Sequence, residues 1–246
     1  MTLTFWQWAI LALGAFFTGL SKTGIAGVSV LAVALFANAL PARESTGALL
    51  PLLLCGDVIG VAFFRKHASW PHLWKLCPWV AVGVGIGYLA LDHIGNLQVQ
   101  RMIGAILLAI VGLSLWRRLR PEQANSEVPH AWWFAALTGL LAGFTSMVAN
   151  AAGPVMVLYF LAVGLPKLVF VGTGAWFFML VNAFKVPFSA HLGLITSRSL
   201  LLDSILVLPM IPGALLGPVI LRRLNQKAFE LMVLILTAVA TVRLLF

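Results

Sequence analysis

Long apolar runs cover most of this chain, and they constrain its fold more than any other feature of the sequence. The runs are separated by short polar breaks, and 61% of the 246 residues are hydrophobic. Only 9% are charged, whereas a soluble domain carries about 25% charged residues. With a mean hydropathy of +1.03, the chain has too little polar surface for a compact particle in water. The sequence therefore predicts an all-α polytopic integral membrane protein. The runs lie at 5–40, 45–64, 73–91, 98–116, 131–163, 168–188, 200–221 and 228–246.

Two of the runs, 5–40 and 131–163, are too long for one membrane span, which needs about 20 residues, and too short for two. Small and polar residues interrupt both of them centrally, at 19–27 and 143–154. Each long run is therefore expected to be either a re-entrant hairpin of two half-length helices or a single long, kinked helix. A run of about 33 residues supplies about 50 Å of helix, so each arm of a hairpin would reach past the bilayer centre.

The apolar runs form two sets of four that resemble each other. An offset of about 125 residues superposes the two sets, and it grows to about 130 toward their ends. An ordered series with a slowly drifting offset predicts an internal duplication, with repeats at 1–120 and 121–246 that together form one membrane domain. The matched pairs are Gly19 and Gly143, Pro41 and Pro166, Gly47 and Gly172, Asp57 and Asn182, Gly83 and Gly213, and Gly87 and Gly217.

Basic residues predict how the chain is oriented in the membrane. Three breaks are rich in Lys and Arg, at 65–75, 117–120 and 222–227, and the positive-inside rule places all three on the cytoplasmic side. An even number of crossings then separates the second break from the third. Because the runs 168–188 and 200–221 cross once each, the run 131–163 must return to the side from which it came. Each repeat would have one hairpin plus three spans, and the odd number of crossings would invert the second repeat relative to the first.

Lys22 is a charged residue in the polar break of the first long run. A Lys at the bilayer centre costs about 2.5–3.5 kcal/mol on insertion scales. The break ends a helix, and its exposed backbone N–H groups together with the ammonium favour an anion site. Alternatively, Lys22 reaches the membrane interface from a helix end. The candidate substrate-binding residues of this break are Ser21, Lys22, Thr23, Gly24 and Gly27.

The second break supplies hydroxyl and amide groups, from Thr145, Ser146 and Asn150, before Gly153. Ser146 is the approximate counterpart of Lys22, so the two hairpin tips are expected to face each other across a pseudo-two-fold axis. Hydroxyl and amide donors suit sulfonate or carboxylate oxygens. The alternative is that these small residues let helices pack closely.

Asp57 is a carboxyl group within an apolar run, and it predicts either proton coupling or an ion pair with Lys22 or Lys185. Its repeat counterpart Asn182 shares a helix face with Lys185, which favours a polar lining over a lipid face. Alternatively, Lys185 is an anchor at the end of a helix. Thr173, earlier in the same run, completes the candidate substrate-binding set.

Several classes of function are disfavoured by the sequence. No His, Cys, Asp and Glu cluster has metal-ligand spacing, and no nucleotide-binding or nucleophile motif occurs, so neither a metal nor another cofactor is expected. The sequence also lacks a convergent set of acidic and basic residues that would predict an enzyme. The net charge of +9 is spread over the breaks rather than along a stripe, so nucleic acid is not an expected partner.

Five segments of the chain carry extended motifs, namely GLSKTGIAG at 19–27, LLPLLLCGDV at 49–58, RKHASWPHLWKLCPW at 65–79, GFTSMVANAAGPVMVLYFL at 143–161 and LPKLVFVGTGAWFFMLVNAFKVP at 165–187. These segments resemble the TauE/SafE family of sulfite and organosulfonate exporters, a group of bacterial inner-membrane permeases. The resemblance covers nearly the whole chain and implies a multi-pass protein of the bacterial inner membrane that exports a small sulfur-containing oxyanion.

The resemblance also assigns functional positions. Departures from the family pattern at Ala26, Ala151 and Ala152, and Asn150 in place of an expected His, leave the substrate open. The assigned positions are Ser21, Lys22, Gly24 and Gly27 in the first break, Asp57 as the acidic position, Ser146, Asn150, Gly153 and Pro154 in the second break, and Asn182, Lys185 and Pro187 in the Asn-x-x-Lys-x-Pro segment.

The sequence therefore predicts a transporter of sulfite or a short organosulfonate that works by alternating access. One alternative is a transporter of another small organic anion or an amino acid, and a second is a non-transporting membrane subunit. The expected partners are the small anionic substrate and membrane lipid, with a homodimer left open.

Overall fold

A computed structural model of the chain describes residues 3–24, 28–93 and 132–223, with isolated positions between 95 and 105. Within these residues the chain is helical, with a 3₁₀ helix at Arg65–His67 and no strand, so the predicted all-α fold is confirmed. The predicted runs 98–116 and 228–246 lie almost entirely outside the described residues. The α-helices are α1 (Phe5–Thr23), α2 (Ser29–Ala39), α3 (Ala42–Phe64), α4 (Trp70–His93), α5 (Trp132–Ala149), α6 (Ala152–Ala162), α7 (Lys167–His191) and α8 (Ser197–Arg223).

Five of these helices are long and apolar enough to cross a membrane. They are α3, α4, α5, α7 and α8, while α2 is a shorter apolar helix. Large apolar side chains are exposed along them, including Leu89, Leu137 and Leu208. Contact between such surfaces and lipid costs no free energy, whereas contact with water does. The chain is therefore a membrane protein with several spans.

The first long run is a helical hairpin. Helix α1 begins at a capping box, in which the Gln7 N–H bonds to the Thr4 hydroxyl and the Gln7 side chain accepts from the Thr4 N–H. The Gln7 side chain also donates to the Ala39 carbonyl oxygen at 3.0 Å, which joins the start of α1 to the end of α2. A continuous helix would separate these two residues by about 48 Å. The alternative of one kinked helix is therefore wrong for this run.

The second long run is a hairpin of the same kind. The ring of Phe134, near the start of α5, stacks on that of Tyr159, near the end of α6, with 5.7 Å between centroids. Between the arms, Asn150 has a φ of 50°, in the left-handed region that Asn tolerates better than most residues. The Asn150 and Ala151 N–H groups donate to the Ser146 and Thr145 carbonyls and so close the end of α5. The kinked-helix alternative is wrong here as well.

The second hairpin opens at the end of the bundle where α3 ends and α4 begins, which we call the basic end. The ring of His72, at the start of α4, lies 6.2 Å from that of Tyr159 at the end of α6. The described basic residues between α3 and α4, or in the first turns of α4, are Arg65, Lys66 and Lys75, and all three are exposed or half-exposed.

The first hairpin opens at the opposite end of the bundle. There Trp8 of α1 and Leu40, which follows α2, line a cavity together with Glu44 at the start of α3 and Leu194 just before α8. Because α3 and α8 both begin at this opposite end, they run in the same direction. Arg223, at the end of α8, therefore lies at the basic end, as the positive-inside reading of these two breaks requires.

Close glycine contacts join each hairpin to the other half of the chain. A Cβ atom at either of two glycines, in α4 and in α8, would collide with the backbone of the hairpin arm opposite. The two contacts are related by the same offsets that superpose the predicted repeats, so they support the duplication. The repeat boundaries at 1–120 and 121–246 stay a prediction. The contacts are those of Gly83 with Leu140 and Phe144 of α5, and of Gly213 with Phe16 and Leu20 of α1.

We expect Gly83→Ala to destabilise the protein and Gly85→Ala, in the same helix, to leave it unchanged or slightly more stable. The added Cβ at Gly83 would meet the Leu140 carbonyl oxygen, and a forced shift of this kind costs about 1–3 kcal/mol. Nothing lies within 4 Å of a Cβ at Gly85, where alanine gains up to about 1 kcal/mol of helix propensity. Thermal unfolding midpoints in detergent measure both effects, and equal midpoints would contradict the close α4–α5 contact.

Cysteine labelling tests the orientation. In a background without Cys55 and Cys77, we expect Thr196→Cys, at the opposite end, to react with an impermeant thiol reagent applied outside the cell. Lys167→Cys, at the start of α7 and at the basic end, should be shielded until the membrane is permeabilised. The reverse pattern would place the basic end outside and overturn the positive-inside assignment.

Candidate functional site

Residues of both hairpin tips are bound to other helices inside the bundle, and their attachment points on α3 are about 16 Å apart along the helix axis. Lys22, in the last turn of α1, places its Nζ atom 2.7 Å from Oδ1 of Asp57 in α3. Both side chains are buried, with 7% and 0% of their surface exposed. The Lys22 ammonium also lies 4.6 Å from the centre of the Phe178 ring of α7, a distance that permits a cation–π interaction. The predicted ion pair between Lys22 and Asp57 is thus present.

Asp57 is bound on its second oxygen as well. Asn182 of α7 donates from Nδ2 to Asp57 Oδ2 at 2.6 Å, and both residues are buried. Asp57 and Asn182 are counterparts in the two predicted repeats, so their hydrogen bond lies where the halves of the chain meet. A buried carboxylate with both a cation and an amide donor has its charge compensated, which a buried charge requires.

Lys185 is the second buried cation of this region, with 1% of its surface exposed. Its ammonium donates to the Ser146 carbonyl oxygen at 2.9 Å and to Asn150 Oδ1 at 2.7 Å. Asn150 in turn donates from Nδ2 to the Thr46 carbonyl oxygen of α3 at 2.9 Å. Lys185 therefore holds the second hairpin tip to α7, and Asn150 holds it to α3. Burial of Lys185 excludes the alternative of an exposed anchor at a helix end.

We call these residues the central cluster. Among the described residues it holds two ammonium groups and one carboxylate, so its formal charges leave one positive charge uncompensated. The two acceptors of Lys185 are neutral, which places the surplus positive charge on the side of the second hairpin tip. A buried site whose two ammonium groups both carry a proton would favour an anionic ligand. The members of the cluster are Lys22, Asp57, Ser146, Asn150, Asn182 and Lys185.

Three hydroxyl groups of the hairpin tips bond to their own helices rather than across the cluster. Ser21 donates to the Thr18 carbonyl at 2.8 Å, Thr23 to the Gly19 carbonyl at 3.2 Å, and Thr145 to the Leu141 carbonyl at 2.7 Å. Such bonds use the hydroxyl hydrogen and leave oxygen lone pairs, so these groups are poor donors to an anion in this conformation.

The predicted glycines lie at the helix breaks. Gly24 follows the last turn of α1 and is buried, and its N–H donates to the Leu20 carbonyl. Gly153 is buried in the first turn of α6, three residues after Asn150 in the chain. Gly27 lies outside the described residues.

Thr173 is buried in α7 but away from the central cluster. Its hydroxyl oxygen accepts the backbone N–H of Ser69 at 2.8 Å, in the connection between α3 and α4 at the basic end. About 13 Å of helix separates Thr173 from Asn182. In this conformation Thr173 caps a loop instead of joining the cluster.

Three residues of interest were not among the sequence candidates. Phe178 and Thr46 contact the cluster through a ring face and a backbone carbonyl, which residue type alone does not reveal. Asp203 of α8 is a buried carboxyl group, and a lone acid within an apolar run was the signal that could have identified it. No group of three or more His, Cys, Asp or Glu side chains in the described part of the chain could hold a metal ion.

Comparison with known proteins identifies the family. The family model described as "Sulfite exporter TauE/SafE" matches residues 11–244, which is nearly the whole chain. No curated protein and no solved structure matches the chain.

We expect Asp57→Asn to destabilise the protein by about 3–5 kcal/mol, because it leaves the Lys22 ammonium buried without its counter-charge. The double variant Lys22→Met with Asp57→Asn should recover part of that loss, since neither charge then remains unpaired. Lys75→Met, which removes an exposed charge at the basic end, is the control. Unfolding midpoints in detergent measure the effects, and purely additive losses in the double variant would show that the two charges do not stabilise each other.

Proposed function

The chain belongs to the TauE/SafE sulfite exporter family and is a membrane transporter, and from that premise we propose that it exports sulfite or a short organosulfonate across the bacterial inner membrane by alternating access. The observation that carries the proposal is the Lys185 ammonium, which is buried in the centre of the bundle and held by two neutral oxygen atoms. It is the group of the central cluster whose charge is left for a ligand.

A small oxyanion suits this position for reasons of charge and geometry. An ammonium donates up to three hydrogen bonds, and those to a charged oxygen are about twice as strong as those to a neutral one. An anion that approached Lys185 would therefore replace the Asn150 or Ser146 acceptor with a stronger one. Helix α6 begins at Ala152, two residues after Asn150, so the positive end of its dipole lies close by.

Lys22 has a different role in this proposal. Its charge is compensated by Asp57, and the pair together with Asn182 joins the first hairpin tip to α3 and α7. The sequence hypothesis that Lys22 itself binds the anion becomes the weaker one, because an anion would compete with a carboxylate at 2.7 Å. Lys22 supports the site by keeping the first hairpin tip attached to α3 and α7.

The arrangement of the hairpins supports the proposal of alternating access. The members of the central cluster are all less than a tenth exposed, so the cluster is sealed from both ends of the bundle in this conformation. The hairpins open at opposite ends, and each tip contributes at least one residue to the cluster. If one hairpin tilts away, the cluster becomes accessible from one side while the other hairpin keeps the second side closed. In this scheme the two predicted repeats are inverted relative to each other and take turns as the gate.

Lys185→Gln should weaken the binding of sulfite by about thirty- to a thousand-fold, because the anion keeps its desolvation cost while the cation that offsets it is gone. The Gln side chain still offers a donor to the Ser146 carbonyl, so folding should be preserved. Calorimetric titration of purified protein with sulfite measures the affinity, size-exclusion profiles check folding, and Lys75→Gln is the matched control.

A ligand screen on the wild-type protein separates the substrate classes. Sulfite, sulfoacetate, taurine and thiosulfate should raise the thermal unfolding midpoint, and matched carboxylates should raise it less. Stabilisation by carboxylates or amino acids alone would replace the proposed substrate by another organic anion or amino acid. An unchanged sulfite affinity in Lys185→Gln would remove Lys185 from the binding site.

A further inference from the structure

The cavity at the opposite end of the bundle is a feature that the proposed function does not use. Its volume is about 430 Å³, and binding sites for small molecules typically measure about 300–1,000 Å³. It lies where the first hairpin opens, and its walls include Trp8, Leu40, Glu44 and Leu194. Four separate parts of the chain therefore enclose a space that is large enough for a ligand.

The lining of this cavity changes from polar to apolar with depth. Helices α3 and α8 both begin at the opposite end and run into the bundle. On α3, Glu44 in the first turn is followed by Ala48 one turn deeper. On α8, Arg198 and Ser199 in the first turn are followed by Ile205, about 10 Å deeper along the helix. The cavity thus has a polar rim and an apolar floor, which suits an amphiphile better than a small oxyanion.

The cavity opens sideways, toward the bilayer. Leu201 and Ile205 line it and are at the same time 67% and 46% exposed on the outer surface of the bundle. In a helix that crosses a membrane, such a surface contacts the acyl chains of lipids. Phe5 and Trp6, at the start of α1, are exposed at the same end, and aromatic residues of this kind are enriched at the membrane interface. The rim of the cavity therefore lies near the depth of the lipid headgroups.

The two charged groups of the rim have opposite signs. They are the Glu44 carboxylate and the Arg198 guanidinium, and the hydroxyl groups of Thr196 and Ser199 lie beside them. A guanidinium binds phosphate oxygens through its planar fork of N–H donors, and a carboxylate accepts hydrogen bonds from an ammonium. A headgroup with both a phosphate and an ammonium satisfies both residues, whereas a headgroup with negative charge alone is repelled by Glu44. Phosphatidylethanolamine has such a headgroup.

We propose that this cavity is a binding site for one phosphatidylethanolamine molecule. The lipid phosphate binds Arg198, its ammonium binds Glu44, and part of one acyl chain lies along Leu201 and Ile205. The inference does not depend on which anion the protein transports. A lipid in this position contacts the open end of the first hairpin as well as α3 and α8, so it stabilises the hairpin in the position that the structure describes.

Native mass spectrometry of delipidated protein, titrated with dioleoyl phosphatidylethanolamine or dioleoyl phosphatidylglycerol, tests the site. Wild-type protein should retain one phosphatidylethanolamine at least about fivefold more tightly than phosphatidylglycerol. Arg198→Gln should weaken the binding of both lipids about fivefold, because each interfacial cation contributes about that factor toward a phosphate. Glu44→Gln should weaken phosphatidylethanolamine alone, so the preference between the lipids disappears. The controls are Arg65→Gln at the basic end and Asp92→Asn at the end of α4, two exposed residues whose replacement should change neither affinity.

Thermal unfolding midpoints in detergent supply a second measurement. Phosphatidylethanolamine should raise the midpoint of wild-type protein more than phosphatidylglycerol does, and Glu44→Gln should lose that difference. The comparison of the two lipids on wild-type protein does not depend on the folding of any variant.

Three results would overturn the inference. Equal retention of the two lipids by wild-type protein would mean that lipid contacts this end of the bundle without a specific site. Unchanged retention of phosphatidylethanolamine in Arg198→Gln and Glu44→Gln would remove the rim from the binding of lipid. Stabilisation of wild-type protein by sulfite that is lost in Arg198→Gln would assign the cavity to the transported anion instead.

Discussion

The ion pair between Lys22 and Asp57 is the interaction on which the centre of this protein depends. In a low-dielectric interior neither charge is tolerated alone, so the tip of the first hairpin must stay against α3. Asn182 extends the attachment to α7 by donating to the second Asp57 oxygen. Once these elements are joined, Lys185 on the next turn of α7 reaches the second hairpin tip. The ion pair thus attaches the first helix break to α3, and Lys185 attaches the second break to α7.

The two halves of the chain share their glycine backbone contacts but differ in their polar residues. Backbone contacts at the glycines recur in both halves, with Gly83 against α5 and Gly213 against α1. The polar residues at equivalent positions differ, and that difference leaves the surplus positive charge in the central cluster. In the proposed transport scheme, the predicted repeats would supply two openings at opposite ends, while their unequal side chains would supply a site that prefers an anion. The equivalent pairs are Lys22 and Ser146, Asp57 and Asn182, and Gly60 and Lys185.

The candidate site could be predicted in part because charges inside apolar runs are rare and costly. That argument found Lys22, Asp57 and Lys185, all of which are buried and bound in the structure. It worked less well for hydroxyl groups, because a Ser or Thr in a helix can always bond to a carbonyl of its own preceding turn. Thr173 shows the limit, since its hydroxyl caps the α3–α4 connection far from the cluster.

The sequence by itself determined the local and additive properties of the chain. Hydropathy summed over each run established a helical membrane protein, run length together with the polar breaks indicated the hairpins, and extended motifs identified the family. The tertiary structure decided which polar groups pair. It placed Lys22 on Asp57, Lys185 on Asn150, and Asp203 on neither cation. Pairing depends on how closely helices from distant parts of the chain approach and rotate toward each other, and that is settled by packing over the whole bundle rather than by any segment of it.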